Sequence, residues 1–271
     1  MSEVVTLEIK NHVGVITLNR PERLNTYTVA MGAQWNAAYR ACESNNDVRV
    51  IVVTGAGRAF CAGADMSGGA STFDTQGDMS FSSCPITPAW QLKKPVIGAL
   101  NGHAIGIGFG LALQFDFRFV AEEAKYGLLQ VRRGVLADCG SHWVLPRLIG
   151  IEKAMKVLVM ARTMTGNELY AMGLATECAH SEQVLSRAMV FAEELATQCA
   201  PVVAAATKQL IWRSFDYGID DFVALETRVL HQTMGKDDAL EGGAAFFEKR
   251  EPQWHNTVCP DWPDALEADK K

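Results

Sequence analysis

This sequence has none of the features of a zinc-binding or disulfide-stapled protein. None of its seven cysteines forms a Cys-x-x-Cys pair, and no cysteine–histidine cluster has the spacing of a zinc site. An odd number of scattered cysteines in a chain of this length predicts reduced thiols, which favours the cytoplasm. We therefore expect no metal ion and no disulfide framework.

Long apolar runs and an excess of basic residues are also lacking. No stretch reaches the length of a transmembrane helix, and residues 1–5 lack the basic and apolar regions of a signal peptide. The formal net charge of −6 offers no general basic surface to nucleic acid. These absences predict a cytoplasmic protein with neither a membrane nor a nucleic-acid partner.

The chain does contain enough apolar residues for a substantial core. Hydrophobic residues make up 48% of its 271 residues, which is typical of one large domain or one domain with a small appendage. Residues 4–19 alternate as a hairpin does, and continuous apolar runs at 49–55, 96–100 and 116–121 predict strands buried in a parallel sheet. Helix-length segments lie between the runs, beginning with 25–42, so we expect an α/β fold of repeated ββα units.

The pattern becomes helical beyond about residue 150. Asn167 and Ser181 have the side chains of helix N-caps. The small, polar segment 67–87 predicts a mobile loop beside a site, and residues 264–271 are expected to fray. The predicted helices of this half are 151–161, 165–172, 181–197, 201–215, 219–234 and 237–249.

Two glycine-rich segments, Gly57–Met66 and Lys94–Gly110, are the most informative feature of the sequence. Each follows a β-branched run, and its glycines allow a backbone N–H to approach a ligand. Two such N–H groups aimed at one oxygen form an oxyanion hole, which is often the largest single contribution to catalysis in acyl chemistry.

Together with three further strings, Leu18–Asn25, Leu145–Gly150 and Phe246–Trp254, these segments closely resemble the crotonase (enoyl-CoA hydratase/isomerase) superfamily. The strings occur in the order of the family and extend over residues 3–256. Any one glycine turn is a weak signal, since glycines mark tight turns in many α/β proteins, but chance agreement of five strings is very improbable.

The resemblance implies a crotonase (ClpP-like) spiral of ββα units that binds an acyl-CoA thioester as its substrate and needs no other cofactor. It implies a core with the CoA site over residues 1–199. It also implies a C-terminal helical region over 200–271, which packs on the core and on a neighbouring subunit of a homotrimer or a dimer of trimers.

The same resemblance assigns the backbone N–H groups of Ala64 and Ile107 to the oxyanion hole, with a helix beginning near Gly108. Lys249 is expected to meet CoA phosphates, while for Arg250 a solvated helix end is an equal alternative. Trp90 and Trp143 are expected at the acyl pocket. The residues implied to bind substrate or CoA are Arg23, Leu24, Ala62, Gly63, Ala64, Asp65, Met66, Gly108 and Lys249, with Asp65 mainly shaping its turn.

The departures from the family pattern concern the reaction. Where the hydratases have two glutamates, this chain has Gly110 and Gln130. Gly110 has no side chain, and the Gln130 amide can orient water but cannot take a proton at neutral pH. Because two carboxylates hold, deprotonate and deliver the water in those enzymes, ordinary hydration is not expected here.

One carboxylate, Asp138, lies seven residues before Leu145, at a position where some relatives have an acidic residue. It is interpreted as the group that transfers protons, although an aspartate capping the turn before Gly140 is the alternative. His142 either relays a proton or only hydrogen-bonds locally, and His103 is expected to be structural. Cys61 and Cys139 have no evident base partner, so thiol chemistry is not expected.

These residues favour an acyl-CoA enzyme that stabilises a thioester enolate and isomerises a double bond, with Asp138 as acid and base and Gln130 positioning water or substrate. Two alternatives stay open. The first is Asp138-dependent hydrolysis, dehalogenation or hydration of an unusual acyl group. The second is a protein that binds acyl-CoA without catalysis.

Overall fold

The protein forms two β-sheets, which a computed structural model describes over residues 3–69, 72, 74 and 84–267. Most of the predicted loop at 67–87 lies outside the described residues. The strands are β1 (Val5–Lys10), β2 (Val13–Leu18), β3 (Val50–Gly55), β4 (Ala59–Cys61), β5 (Val96–Leu100), β6 (His103–Ile105), β7 (Phe117–Ala121), β8 (Tyr126–Gly127) and β9 (Glu177–Ala179).

Helices follow the strands, as the repeated α/β pattern predicts. They are α1 (Val29–Ser44), α2 (Ile107–Ala112), α3 (Ser141–Ile149), α4 (Ile151–Leu158), α5 (Gly166–Met172), α6 (Ser181–Gln198), α7 (Pro201–Arg213), α8 (Ile219–Thr233), α9 (Asp237–Glu248) and α10 (Asp264–Glu267).

The large sheet has six strands in the order β1-β2-β3-β5-β7-β9. Only the predicted hairpin β1–β2 is antiparallel, and each later pair is parallel. All residues of β3 and β5 are buried, which explains their continuous apolar sequences. Helix α6 covers β3, β5 and β7, and its Phe191 packs 4.8 Å from Phe117 between ring centroids.

Three details of the predicted helices are wrong. Helix α1 begins at Val29 instead of residue 25, because the Asn25 side chain is buried and bonds the carbonyl oxygens of Ala56 and Ala59. The N-cap of α5 is Thr165, whose side chain and that of Glu168 form a capping box, so the predicted cap Asn167 lies inside the helix. The predicted cap Ser181 is the first residue of α6.

Helix α7 is held on the core by a buried cation. Lys208 Nζ lies 2.9 Å from Asp116 Oδ2 and donates to the carbonyl oxygens of Ala89 and Lys94 at 2.8 and 2.9 Å. The neighbouring Gln209 Nε2 donates to the carbonyl oxygens of Trp90 and Leu92, both at 2.9 Å. These contacts hold the segment before β5, which includes the 3-10 helix Ala89–Gln91.

The C-terminal residues form a second apolar cluster with α7 and α8. Leu266 is fully buried and its carbonyl oxygen accepts a hydrogen bond from Arg213, so the predicted fraying is wrong for residues 264–267; residues 268–271 lie outside the description. The predicted boundary at 199/200 falls between α6 and α7, and the division into two domains stays a prediction. The cluster consists of Ala205, Ala206, Leu225, Val229, Val258, Trp262, Ala265 and Leu266.

No single helix among the described residues is both long and apolar enough to cross a bilayer. Ser181–Gln198 and Pro201–Asp216 meet the criteria of length and composition only as a pair bent by 112°.

Replacing Lys208 with Ala is expected to lower the free energy of unfolding by about 3 kcal/mol, since it leaves the Asp116 carboxylate buried without its cation. The measurement is equilibrium unfolding in urea. Lys153→Ala on the exposed face of α4 is the control. An unchanged midpoint for Lys208→Ala would contradict the role given to this ion pair.

Candidate active site

Three strands of the small sheet end at one edge and bring distant segments together. Strand β4 pairs in parallel with β6, and β6 pairs in parallel with β8. Because parallel strands end at the same edge, the turns that follow them meet there. The residues that follow the three strands include Ala64, Ile107 and Gln130, all of which the sequence analysis assigns to the site.

The turn after β4 presents the N–H of Ala64. Tyr27 N donates to Gly63 O at 2.8 Å and Tyr27 O accepts from Asp65 N at 2.9 Å, so these bonds bracket Ala64 as in a parallel bridge. Ala64 N–H therefore faces away from Tyr27. The hydrogen bonds of the described residues include no acceptor for it.

The turn after β6 presents the second N–H. Ile107 is the first residue of α2, so its N–H has no partner inside the helix, and none is found among the described residues. Helix α2 thus begins one residue before the expected Gly108 and has only six residues.

Two glycines let these turns lie side by side. Gly63 and Gly106 have φ values of 112° and 55°, in the region that side chains disfavour. A Cβ atom on Gly63 would lie 3.4 Å from Ile105 O, and one on Gly106 would lie 4.0 Å from the Cα of Gly63. The two backbones are therefore in contact, which places the N–H groups of Ala64 and Ile107 in neighbouring turns.

The carboxyl group of Asp138 lies next to Gly110. A Cβ atom on Gly110 would stand 3.5 Å from Asp138 Oδ1, 3.2 Å from Cys139 Cβ and 3.3 Å from Ser141 Oγ. A side chain at position 110 would therefore contact the Asp138 carboxyl and pack tightly against Cys139 and Ser141. The missing glutamate and the additional aspartate are thus linked, because the carboxyl at 138 borders the space that a side chain at 110 would enter.

Gln130 connects the Asp138 carboxyl to the turn after β6, which contains Gly106. Its Nε2 donates to Asp138 Oδ1 at 3.2 Å, and Nε2 lies 3.8 Å from where a Cβ on Gly106 would be. Burial raises the pKa of Asp138, while hydrogen bonds from its own backbone, Cys139 and Gln130 oppose that rise. The two residues predicted on separate grounds therefore form one hydrogen-bonded pair.

Asp65 makes the turn contacts that the sequence analysis expects. Its Oδ1 accepts from Ser67 N at 3.0 Å, and its Oδ2 lies 3.0 Å from Arg20 Nη2. The side-chain hydrogen bond from Arg20 is the main reason that the pKa of Asp65 falls to about 2. Arg20 also donates to Thr26 O, so it joins the turn at Asp65 to the segment that precedes α1. The sequence analysis does not assign Arg20 to the site, although Arg20 lies in the string 18–25.

The residues expected to meet CoA are brought together only in part. Leu24 O accepts from Ala62 N at 3.0 Å, so Leu24 lies beside the 62–66 turn, and the neighbouring Arg23 is exposed. Lys249, with φ 55°, ends α9 and is exposed, and no described hydrogen bond or ion pair joins it to that turn. Arg250 instead pairs with Glu241, as the alternative of a solvated helix end implies.

Aromatic rings border the site on the side of Gly140. The Trp90 Cη2 atom lies 2.8 Å from where a Cβ on Gly140 would be, two residues after Asp138. The ring centroids of Trp90, Trp143 and Trp212 lie 5.8–6.1 Å apart. Trp212 joins this cluster from α7, which the linear sequence gives no means to foresee.

The remaining candidates have structural contacts or none. His103 Nδ1 accepts from Lys125 N at 2.9 Å, which confirms a structural role. His142 is exposed on α3. Burial raises the pKa of Cys61 to about 11 and also raises that of Cys139, so both thiols are neutral near pH 7.

Two further features lie outside this constellation. Glu122, Glu123 and His180 have ligand-type atoms within 4.8 Å of one another at the surface, where His180 Nδ1 lies 3.0 Å from Glu123 Oε1. A cavity of about 1180 Å³ lies between the core, α7, α8, α9 and the C-terminal segment, and neither Asp138 nor Gln130 lines it.

The family model for enoyl-CoA hydratase/isomerase matches residues 8–257. The chain belongs to this family. The (E)-benzylidenesuccinyl-CoA hydratase of Thauera aromatica is 33% identical over 92% of this chain and 97% of its own. The 1,2-epoxyphenylacetyl-CoA isomerase of Escherichia coli is 32% identical over 94% and 99%.

Solved structures confirm the crotonase fold. A probable enoyl-CoA hydratase/isomerase from Mycobacterium abscessus has a TM-score of 0.89 with 41% identity, covering 93% of this chain and 99% of that protein. The protein is therefore an acyl-CoA enzyme of the hydratase/isomerase family.

Replacing Asp138 with Asn is expected to stabilise the fold at neutral pH. Because burial raises the native pKa above the unfolded one, the ionised carboxyl destabilises the fold above that pKa, and this loss vanishes as the pH falls and the group is protonated. Asparagine keeps an oxygen that Gln130 Nε2 can reach but has no charge. We expect the Tm to rise by about 2 °C at pH 7.5, as roughly 1 kcal/mol does in a chain of this size.

Calorimetry at pH 7.5 and at pH 5 measures this difference, which should shrink at the lower pH. Asp47→Asn, at an exposed position before β3, is the matched control. A Tm of Asp138→Asn that equals or falls below the native value at both pH values would show that burial does not destabilise the carboxylate.

Proposed function

We propose that this protein moves a proton between carbon atoms of an acyl-CoA thioester and so shifts the position of a double bond. The observation that carries the proposal is one carboxyl, Asp138, beside Gly110 and Gln130 at the sheet edge where the N–H groups of Ala64 and Ile107 are free. The CoA thioester is the substrate, and the proposal requires no other cofactor.

In the proposed reaction the thioester oxygen accepts hydrogen bonds from Ala64 N–H and Ile107 N–H. Asp138 removes a proton from the α-carbon of a 3-enoyl thioester, and the electron pair moves onto the carbonyl oxygen as a dienolate. Asp138 then returns the proton to the γ-carbon and the 2-enoyl thioester forms. One carboxyl suffices, since the same group is base in the first step and acid in the second.

Two-glutamate hydration fits these residues poorly. Hydration requires groups that hold the water molecule, remove one of its protons and deliver a proton to the neighbouring carbon. Each positioned acid or base contributes roughly 10²–10⁴-fold to the rate. Gly110 supplies no group, and Gln130 supplies an amide that does not titrate. Asp138, which accepts a hydrogen bond from Gln130 and lies beside Gly110, is the carboxyl that we propose acts in their stead.

For substrate binding we propose the turn 62–66 together with Gly108, Arg23 and Leu24, with Lys249 toward the CoA phosphates. We also propose a homotrimer or dimer of trimers, which the exposed Phe246 and Phe247 of α9 support, being 78% and 84% exposed. All seven cysteines are thiols and not disulfides, which supports a cytoplasmic location.

A second candidate is Asp138-dependent hydration of a bulky acyl group. Gln130 can hold a water molecule beside the carboxyl, and one relative carries the name of a hydratase of benzylidenesuccinyl-CoA. The tryptophan cluster beside Gly140 suits a ring-bearing acyl group, since aromatic rings stack favourably on one another.

The decisive experiment is a mass-spectrometric assay in deuterated water with crotonyl-CoA, 3-hexenoyl-CoA and the phenyl-substituted 2-enoyl thioester cinnamoyl-CoA. We expect movement of the double bond or uptake of deuterium, and a loss of at least about 10²-fold in rate for Asp138→Asn. Asp47→Asn, remote from the site, should keep the full rate.

Three results would count against the proposal. Fast addition of water to crotonyl-CoA that Asp138→Asn leaves unchanged would show that another group performs hydration. Asp138-dependent addition of water to the phenyl substrate alone would favour the second candidate. CoA esters that bind without any turnover would favour a non-catalytic binder.

Replacing Ile107 with Pro tests the oxyanion donor directly. Proline is well tolerated at the first position of a helix, and it removes the N–H that we propose binds the thioester oxygen. We expect kcat to fall by about 10²–10³-fold with little change in Tm. Ile107→Ala, which shortens the side chain but keeps the N–H, is the matched control; equal rates for the two variants would exclude this N–H as a donor.

A further inference from the structure

The side-chain amide of Gln130 lies between the turn after β6, which contains Gly106, and the carboxyl of Asp138, the candidate catalytic group. On one side its Cδ and Nε2 lie 3.9 and 3.8 Å from where a Cβ on Gly106 would be. On the other side Nε2 lies 3.2 Å from Asp138 Oδ1. The amide can therefore report directly on the state of Asp138.

One atom of this amide has no partner. Gln130 Oε1 is buried, and no described residue donates a hydrogen bond to it. A buried acceptor that lacks a donor destabilises the fold, so such an atom in a native protein needs an explanation, and a catalytic role is one.

We propose that Gln130 is a positioning residue that hydrogen-bonds Asp138 in both of its protonation states. Nε2–H donates to the carboxylate, and after the amide turns over Oε1 accepts the O–H of the protonated carboxyl. The inference rests on the proposed function, in which Asp138 takes up a proton and later releases it.

The chemistry of the two groups supports this role. An ionised carboxylate only accepts hydrogen bonds, whereas a protonated carboxyl also donates one. Glutamine offers both a donor and an acceptor on one planar group, and its terminal torsion is soft. The backbone N–H of Asp138 also donates to this carboxyl, and such a fixed donor stabilises the anion alone. The Gln130 amide differs from it because the amide can also accept the proton of the neutral form.

Among the described residues, no charged group is found to act on the Asp138 carboxyl. Asp138 interacts electrostatically with Tyr27, Cys84 and Cys139. Burial raises the pKa of Tyr27 to about 12 and raises those of both thiols, so all three are neutral near pH 7. Among the described groups, the amide of Gln130 is therefore the partner suited to follow the protonation of Asp138.

The first test is an NMR titration of the ligand-free protein. The protein carries ¹³C/¹⁵N-labelled glutamine and, in a second sample, ¹³C-labelled aspartate; Asp138→Asn and Gln130→Leu identify the two resonances. We expect Gln130 ¹³Cδ and ¹⁵Nε2 to move with the same midpoint as the Asp138 carboxyl, because Oε1 gains a hydrogen bond while Nε2 loses its anionic acceptor. In Asp138→Asn both Gln130 signals should be independent of pH.

The second test uses Gln130→Leu, which retains a side chain of similar length but can form no hydrogen bond. Loss of the donor to the anion should increase the proton affinity of Asp138 about tenfold, since a hydrogen bond to a charged group is stronger than one to its neutral form. The acid limb of kcat/KM should move to higher pH accordingly. Gln183→Leu, on the exposed face of α6, is the matched control.

A Gln130 carbonyl signal that stays constant while Asp138 titrates would overturn the proposal. A signal that moves only when a CoA thioester is added would also overturn it, because the donor to Oε1 would then be the ligand. Because the NMR titration needs no turnover, it can succeed or fail independently of the proposed isomerisation.

Discussion

The site depends on the parallel pairing of three very short strands. Strands β4, β6 and β8 contain three, three and two residues, yet their pairing brings the turns that follow them to one edge. The N–H groups of Ala64 and Ile107 belong to the backbone, so the identity of these two side chains contributes little to their placement. What positions them is the contact of two glycine backbones, together with the bonds of Tyr27 to Gly63 and Asp65.

Position 110 and Asp138 are close neighbours in this fold. A side chain at position 110 would enter the space beside Cys139, Ser141 and Asp138. A residue change at 110 therefore alters the surroundings of the carboxyl at 138. Burial of the Asp138 carboxyl opposes its ionisation, so the group that suits proton transfer is also one that weakens the fold.

Much of the fold could be predicted from the sequence, because buried parallel strands have continuous apolar sequences and amphipathic helices repeat their apolar residues every three to four positions. The hairpin, the buried strands β3, β5 and β7 and the helices α4 to α9 were found within a few residues. Helix starts were less predictable: the helical spacing was read from Asn25 onward, but the Asn25 side chain bonds two loop carbonyls and α1 begins at Val29.

The site was predictable where it depends on local sequence and not where it depends on packing. The family resemblance implies N–H donors at Ala64 and Ile107 and an acid at Asp138, and the structure brings the segments that carry these residues together. The hydrogen bond between Gln130 and Asp138 and the approach of Trp90 to Gly140 arise from tertiary contacts. No period or motif encodes such contacts, which is why the pairing of the two residues emerged only from the structure.

The C-terminal helices are connected to this site through buried polar groups. Lys208 and Gln209 on α7 bind four carbonyl oxygens between residues 89 and 94, and Trp90 within that segment packs on Gly140. Gly140 follows Asp138 by two residues, so the contacts of α7 extend through the Trp90 ring to the segment that carries this carboxyl. The helical region is thus joined to the surroundings of Asp138 and does more than cover the core.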